Sequence, residues 1–293
     1  MYPDVLPYLR CPRRPALTLE LEPGAQYARD GAIVRGSLRV EDGSRHYAIK
    51  DGILDLLGPF ELPDSPAQVT NYLPLTAWGY ERLWRWRALT LLMGEPFGYD
   101  QELPLITGLM QPGRGGLYLD VACSNGLYAR TLAQHIGPQH GPVVGFDHSV
   151  PMLQQARTYA QRAGLRISYI RAKAQALPIA AGSAAGVCMG GSLNEIGDRM
   201  GFLHETRRVL DTRGRLVMMH LTRADQLPGN LLQSFLSTGG IAFPTLDRTN
   251  QEVAEAGLHR AAQWRYGVVA FSLWLAAPVG AAPARSGGRG AGW

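Results

Sequence analysis

The alternation of strand-like and helical segments after Gly115 constrains the fold more than any other feature of this chain. Short apolar runs predict strands at residues 116–121, 143–146, 167–171, 186–189 and 214–221. Amphipathic patterns between them predict helices at residues 127–136, 150–163 and 201–210. Strands that alternate with helices form a mostly parallel sheet covered by helices on both faces. The pattern therefore predicts an α/β fold.

The last part of the chain has a different pattern. Two strand-like runs, residues 259–266 and 268–275, almost meet at Gly267, which predicts a closing antiparallel hairpin. Residues 278–293 are rich in Gly, Ala, Pro and Arg, and we expect them to form a disordered tail.

The amino-terminal region, residues 1–58, carries short apolar runs divided by turn signals. The runs cover residues 16–21, 32–40 and 47–57, and Gly24, Asp42-Gly43 and Asp51-Gly52 mark the turns. This pattern predicts a small β-rich domain over residues 1–58. The Pro-rich stretch that follows indicates a boundary.

An amphipathic helix is predicted over residues 76–93, where aromatic and aliphatic side chains recur every three or four positions. Such a helix either covers the core or forms a lid over an active site. We therefore expect residues 59–102 to form a linker and helical lid, followed by the main α/β domain at residues 103–277.

Composition excludes several classes of protein. The chain is 46% hydrophobic and 18% charged, and it lacks the apolar stretch of roughly 20 residues that a membrane-spanning helix needs. The first residues lack the pattern of a secretory signal, so we expect a cytoplasmic protein. The net charge is +5 and the basic residues are scattered along the chain, which argues against a nucleic-acid partner. Three widely spaced cysteines predict neither disulfides nor a zinc site.

The segment most informative about chemistry is the loop after the strand at residues 117–121. Five residues, Ala122, Cys123, Ser124, Asn125 and Gly126, separate that strand from the next helix, and most of them are small enough for a ligand to approach the backbone. Ligands of open α/β sheets bind at the carboxyl ends of the strands, beside the start of a helix. This loop is therefore a candidate binding site.

Asp147 strengthens the interpretation of that loop. It ends the second strand, one strand-helix unit later, where a carboxylate can accept hydrogen bonds from both hydroxyls of a ribose. The alternative is that Asp147 only precedes a helix, since Ser149 can cap that helix and Pro151 fits its first turn.

With these motifs in place, the chain resembles the class I methyltransferases that use S-adenosylmethionine (SAM), in particular the group acting on small metabolites and quinones. Asp120 to Gly126 resembles the family's first motif, and Asp147 its ribose-binding acid. Residues 174–178 resemble the adenine-flanking loop, while residues 184–191 and 202–221 resemble the fourth strand and the segment through the fifth.

The resemblance implies a seven-stranded, mostly parallel Rossmann-like sheet with an antiparallel C-terminal hairpin. It also implies SAM as the cofactor. The residues that it places at the cofactor are Asp120, Ala122, Cys123, Ser124, Asn125, Gly126, Asp147, His148, Met152, Ala174, Gln175 and Gly190.

Two departures from the family pattern concern the site. Ala122 and Ser124 replace glycines of the first motif, and because both are small we expect binding to survive. Lys173 stands where an acidic residue commonly accepts a hydrogen bond from the adenine, and a lysine has no acceptor. Lys173 is either solvent-exposed or favours an anionic substrate.

No catalytic residue is assigned, because a methyl acceptor needs alignment with the donor more than it needs a protein nucleophile. An acceptor hydroxyl calls for a base, and His148, His204 and His220 are candidates by residue type. His220, near the end of the fifth strand, is the best placed, although a structural role is the simpler interpretation for each histidine.

The amino-terminal region resembles the small zinc-ribbon domain that precedes some rRNA guanine methyltransferases. The resemblance rests on Leu9 to Pro12, the turn near Gly36 and residues 47–53. That domain uses four cysteines, and because only Cys11 is present we expect a fold without metal.

Three functions remain open at this point. The first is methyl transfer to a small molecule such as a quinone, isoprenoid or aromatic acceptor, and the second is methylation of rRNA or tRNA bases. The third is a non-catalytic SAM-binding partner protein. A nicotinamide-dependent oxidoreductase fits less well, because the loop lacks the G-x-G-x-x-G spacing.

Overall fold

The computed structural model describes residues 1–58, 92–93, 96–136, 140–238 and 240–276. Nearly all of the expected lid helix and the whole of the expected C-terminal tail lie outside these residues.

Seven strands form the centre of the molecule. Five of them are β7 (Leu117–Val121), β8 (Val143–Asp147), β9 (Ile167–Arg171), β10 (Ala184–Gly190) and β11 (Leu210–Leu221). They pair in parallel in the order β9-β8-β7-β10-β11. The closing strands β12 (Leu258–Tyr266) and β13 (Val269–Ala276) pair antiparallel, with β13 beside β11. The predicted fold class is confirmed.

Helices connect these strands, and several begin where the sequence provides a cap. They are α1 (Tyr99–Met110), α2 (Leu127–Ile136), α3 (Val150–Arg162), α4 (Arg199–Val209), α5 (Leu227–Ser237) and α6 (Leu246–Glu255). The Ser149 hydroxyl accepts from the Met152 amide at the start of α3, and Asp198 caps α4 in the same way through the Gly201 amide. The sequence patterns did not predict α1, α5 and α6.

The amino-terminal strands continue the central sheet. They are β1 (Arg10–Cys11), β2 (Arg14–Leu21), β3 (Gln26–Tyr27), β4 (Ile33–Val40), β5 (His46–Lys50) and β6 (Ile53–Asp55). Within this region the pairing is antiparallel, but β6 pairs in parallel with β9. Leu54 of β6 lies opposite Ile170 of β9, and both are fully buried in one core with Val144. The amino-terminal region therefore shares a sheet and a core with the rest.

Membrane-spanning helices and metal-binding clusters are both absent from the described ranges. No helix there is long and apolar enough to cross a membrane. The same ranges hold no group of three or more His, Cys, Asp or Glu side chains placed to bind a metal ion.

Candidate functional site

The loop after β7 has an unusual backbone. Ala122 and Ser124 adopt φ angles of 53° and 51°, and Gly126 has a φ of 75°. All three lie in the left-handed region, which favours glycine. At Gly126 there is also no room for a side chain, because a Cβ would lie 2.8 Å from the Tyr169 hydroxyl. The loop thus has the backbone of a glycine-rich turn, although Ala122 and Ser124 occupy two of its three left-handed positions.

A pocket opens at this loop, at the carboxyl ends of β7 and β10. The empty space at the pocket is about 280 Å³, open solvent included. Its lining consists of Asp120, Ala122, Cys123, Ser124, Asn125, Leu127, Tyr128 and Gly190. Six of these were predicted from the sequence, and Leu127 and Tyr128 from the first turn of α2 were missed.

Asp147 points toward the loop from the neighbouring strand β8. Its Oδ2 accepts from the Ser124 amide at 2.8 Å, and its Oδ1 accepts from the Ser149 amide at 2.8 Å. Asp147 is 7% exposed. Since a carboxylate oxygen accepts more than one hydrogen bond, both oxygens retain capacity for the hydroxyls of a ligand.

Two further polar residues stand at the pocket. The Asp120 carboxylate is buried and its Oδ2 accepts from the Ala129 amide at 2.8 Å, which ties the start of α2 to the end of β7. The side chain of Asn125 is also buried, and its Nδ2 finds no acceptor among the described residues. A buried donor of this kind is costly unless a ligand or water accepts from it.

The thiols of this region are poor nucleophiles. Burial raises the pKa of Cys123 and of Cys188 well above the usual range, so both thiols are protonated at neutral pH. The Cys188 thiol donates to Asp120 Oδ1 at 3.7 Å. The two cysteines therefore have packing roles.

The remaining predicted site residues lie outside the pocket lining. Met152 contacts the loop, since the Ser124 hydroxyl donates to its sulfur at 3.4 Å, and His148 Nδ1 lies 3.6 Å from Asp147 Oδ1. Ala174 and Gln175 are partly buried in the segment after β9. Lys173 is likewise only partly exposed, and its carbonyl accepts from the Ala176 amide.

The other candidate bases lie elsewhere. His204 is exposed on α4. His220 is fully buried, with the Ser272 hydroxyl 3.4 Å from its Nε2 and the Trp274 ring beside it. Burial lowers the pKa of His220 to about 4, so the ring is neutral at pH 7. Its position favours the structural interpretation.

Comparison with known proteins fits this geometry. Residues 119–214 match a family model described as a methyltransferase domain. This segment of the chain is similar to methyltransferase domains. Such domains use SAM, which agrees with a pocket formed by a tight loop and an acidic residue on the next strand.

Curated relatives extend the likeness. The chain is 30% identical over 196 residues to an uncharacterized chloroplastic methyltransferase of Arabidopsis thaliana, an alignment spanning 64% of this chain and 54% of that protein. It is 35% identical over 100 residues to the demethylmenaquinone methyltransferase of Lactococcus lactis, spanning 34% of this chain and 39% of that protein. The chain thus matches only about half of the length of these relatives or less.

Solved structures share the fold. The SAM-dependent methyltransferase from Aquifex aeolicus superposes with a TM-score of 0.52 at 17% identity, over 70% of this chain and 98% of that one. At this identity the likeness concerns the arrangement of the strands and helices.

Proposed function

We propose that this protein is a SAM-dependent methyltransferase that acts on a small-molecule acceptor. The observation that carries the proposal is the contact between the Asp147 carboxylate and the Ser124 amide, which joins the acid at the end of β8 to the loop after β7. This arrangement supports binding of an adenosine, because the loop amides and the acid lie at the carboxyl ends of adjacent parallel strands.

The bound SAM would supply an electrophilic methyl group on a sulfonium. The residues of the chain then act by binding and orientation. Asp147 would hold the ribose hydroxyls, while the left-handed loop from Ala122 to Gly126 and the buried Asn125 amide would bind the rest of the donor. Leu127 and Tyr128 line the pocket beside this loop. Alignment of this kind is the main requirement of an in-line methyl transfer.

Two observations favour a small acceptor over RNA. The Lactococcus lactis relative is named for a quinone substrate. The amino-terminal region contains equal numbers of basic and acidic side chains, eight of each, and several of its arginines are already paired, such as Arg14 with Asp42 and Arg39 with Glu20. A region with balanced and paired charges offers little attraction to a phosphate backbone.

Calorimetric titration tests the donor site. S-adenosylhomocysteine (SAH) is expected to bind the wild-type protein, and Asp147→Asn is expected to weaken that binding about tenfold or more, because hydrogen bonds to a charged group are lost. The matched control is Asp198→Asn, which changes a carboxylate that also accepts from a backbone amide, at the cap of α4. SAH affinity should be unchanged in this control. Equal affinities for wild type and Asp147→Asn would refute the proposed ribose contact.

Radiolabelled SAM tests the acceptor. The protein is incubated with a cell extract, which is then separated into RNA and small-molecule fractions, and in parallel with a 1,4-naphthoquinol bearing a short isoprenyl chain. Label is expected in the small-molecule fraction. Label in RNA alone would establish the nucleic-acid alternative, and SAH binding without label in any fraction would favour a non-catalytic partner protein.

A further inference from the structure

Arg171 is a buried cation at the junction between the amino-terminal strands and the candidate site. It ends β9, and its side chain is 7% exposed. Its Nη1 donates to the Asp55 carboxylate, at 3.1 Å from Oδ2 and 3.3 Å from Oδ1, and to the Gly58 carbonyl at 2.5 Å. Its Nε donates in another direction, to the His148 carbonyl at 3.0 Å.

Asp55 is itself fixed by its own turn. It ends β6, and its Oδ1 accepts from the amides of Leu57 and Gly58, both at 3.0 Å. The Leu56 amide donates to the Arg171 carbonyl at 3.0 Å, which continues the β6–β9 pairing by one residue. The guanidinium is therefore held by the end of β6 and the hydrogen-bonded turn that follows it.

The other end of the bridge reaches the segment that carries Asp147. The carbonyl that Arg171 binds belongs to the next residue, His148, and the Asp147 carbonyl accepts from the Ala172 amide at 3.1 Å. Two hydrogen bonds from the end of β9 thus fix the backbone on either side of the His148 nitrogen. The direction of the Asp147 carboxylate depends on this backbone.

We propose that Arg171, oriented by Asp55, is a positioning residue for the nucleoside site. It transmits the placement of β6 to the Asp147 carboxylate, so the amino-terminal strands contribute to donor binding without touching the donor. The inference rests on the proposed function, because it assigns Asp147 to the ribose.

The chemistry of arginine fits this role better than a role in stability. A buried ion pair adds little net stability, since the loss of hydration offsets the attraction between the charges. A guanidinium, however, donates in fixed directions from one plane, so a single side chain can bind both the Asp55 carboxylate and the His148 carbonyl. A lysine ammonium is a point charge and does not reproduce that fork.

The test is the affinity for SAH, measured by calorimetry, of Arg171→Lys. This change keeps the positive charge near Asp55 and is expected to weaken SAH binding about tenfold, because a hydrogen bond that aims a charged group is lost. The matched control is Arg166→Lys. Arg166 precedes β9 at its other end and also reaches the amino-terminal region, through the Asp30 carbonyl and the Asp4 carboxylate. Its replacement should leave SAH affinity at the wild-type value.

A double-mutant cycle separates positioning from general damage to the fold. In the Asp147→Asn background, Arg171→Lys is expected to produce no further loss, because the carboxylate on which it acts is gone. If the losses in SAH affinity of the two single variants multiply in full in the double variant, the inference is overturned. It is also overturned if Arg171→Lys binds SAH with wild-type affinity. If Asp147→Asn weakens SAH binding and Arg171→Lys does not, the inference about Arg171 fails while the proposed function stands. A wild-type protein that fails to bind SAH refutes the proposed function as well.

A second variant keeps the test decisive if Arg171→Lys does not fold. Asp55 is about one-third exposed, so Asp55→Asn removes its charge with little disturbance of packing. It is expected to weaken SAH binding severalfold and to show the same dependence on Asp147. An Asp55→Asn protein that is folded and binds SAH like the wild type contradicts the assignment.

Discussion

Ala122 and Ser124 show how a binding loop can keep its shape while its glycines change. Both residues have positive φ angles that glycine adopts without strain. The sequence identified them as replacements in a glycine-rich motif, but it could not show whether the backbone had changed with them. The retained torsion angles indicate strain that the surrounding contacts hold in place, among them the Ser124 amide bond to Asp147.

Ala122→Gly is expected to stabilise the protein. A left-handed alanine costs about 1 kcal/mol, and the greater freedom of glycine in the unfolded chain offsets part of that gain. The expected net increase in the free energy of unfolding is about 0.5 kcal/mol, measured by urea denaturation.

The control for this change has the opposite expected sign. Ala133 lies within α2, where glycine is unfavourable, so Ala133→Gly should lower the free energy of unfolding by about 1 kcal/mol. A loss of stability in both variants would show that the loop at Ala122 carries no torsional strain.

The residues that the sequence missed at the site share one property: their contacts depend on tertiary structure. Leu127 and Tyr128 look like ordinary members of an amphipathic helix, and the pocket is formed only when α2 meets the ends of β7 and β10. Arg171 ends an apolar run, and its partner Asp55 is 116 positions earlier in the chain. Motif spacing gives no signal for such pairs, whereas Asp120 and Asp147 were recognisable because each lies at the end of an apolar strand.

At the scale of elements, short apolar runs predicted the parallel strands β7 to β10 within one or two residues. The strand β11 begins four residues earlier than expected, directly after α4, because its first residue pairs with the start of β10. The helix α5 was not predicted, and among its described side chains Leu227, Leu231 and Phe235 are exposed.

The packing of β8 against β9 beneath the loop depends on Gly145. A Cβ there would lie 2.8 Å from the Tyr169 ring and 3.0 Å from the Cys123 sulfur. Gly145→Ala is therefore expected to lower the free energy of unfolding by about 1–3 kcal/mol and to weaken SAH binding, because it pushes on the loop. Thermal melts and SAH titration measure the two effects.

A glycine in an open position provides the control. Gly108 lies on α1, and a Cβ added to it would meet no atom within 4 Å, so Gly108→Ala should stabilise the protein through helix propensity alone, by up to about 1 kcal/mol. Unchanged stability and binding in Gly145→Ala would mean that Tyr169 and Cys123 move aside freely.

At the scale of the whole molecule, the sequence predicted two β-containing regions but not that they form one sheet. The turn signals of the amino-terminal region and the pattern after Gly115 are each local, and the parallel pairing of β6 with β9 joins residues more than one hundred positions apart. Neither turn chemistry nor periodicity reports such a pairing. Whether the amino-terminal region counts as a separate domain stays a prediction, although it shares the central core.

The shared core predicts cooperative unfolding of the described regions. Leu54 is fully buried on β6, and Leu54→Ala is expected to cost about 2–5 kcal/mol. Because the core is continuous, scanning calorimetry should show a single transition that moves as a whole to lower temperature. Two separate transitions, with only one of them shifted, would contradict a common core.

The pairing of β6 with β9 also bears on how such proteins can be recombined. Without β6, β9 would be an edge strand with unpaired backbone amides and carbonyls. Such an edge is a template for self-association. A chimera that joins residues 103–277 to an unrelated amino-terminal segment would expose this unpaired strand edge. Successful exchanges between homologues should therefore carry the amino-terminal region along with the half that it shields.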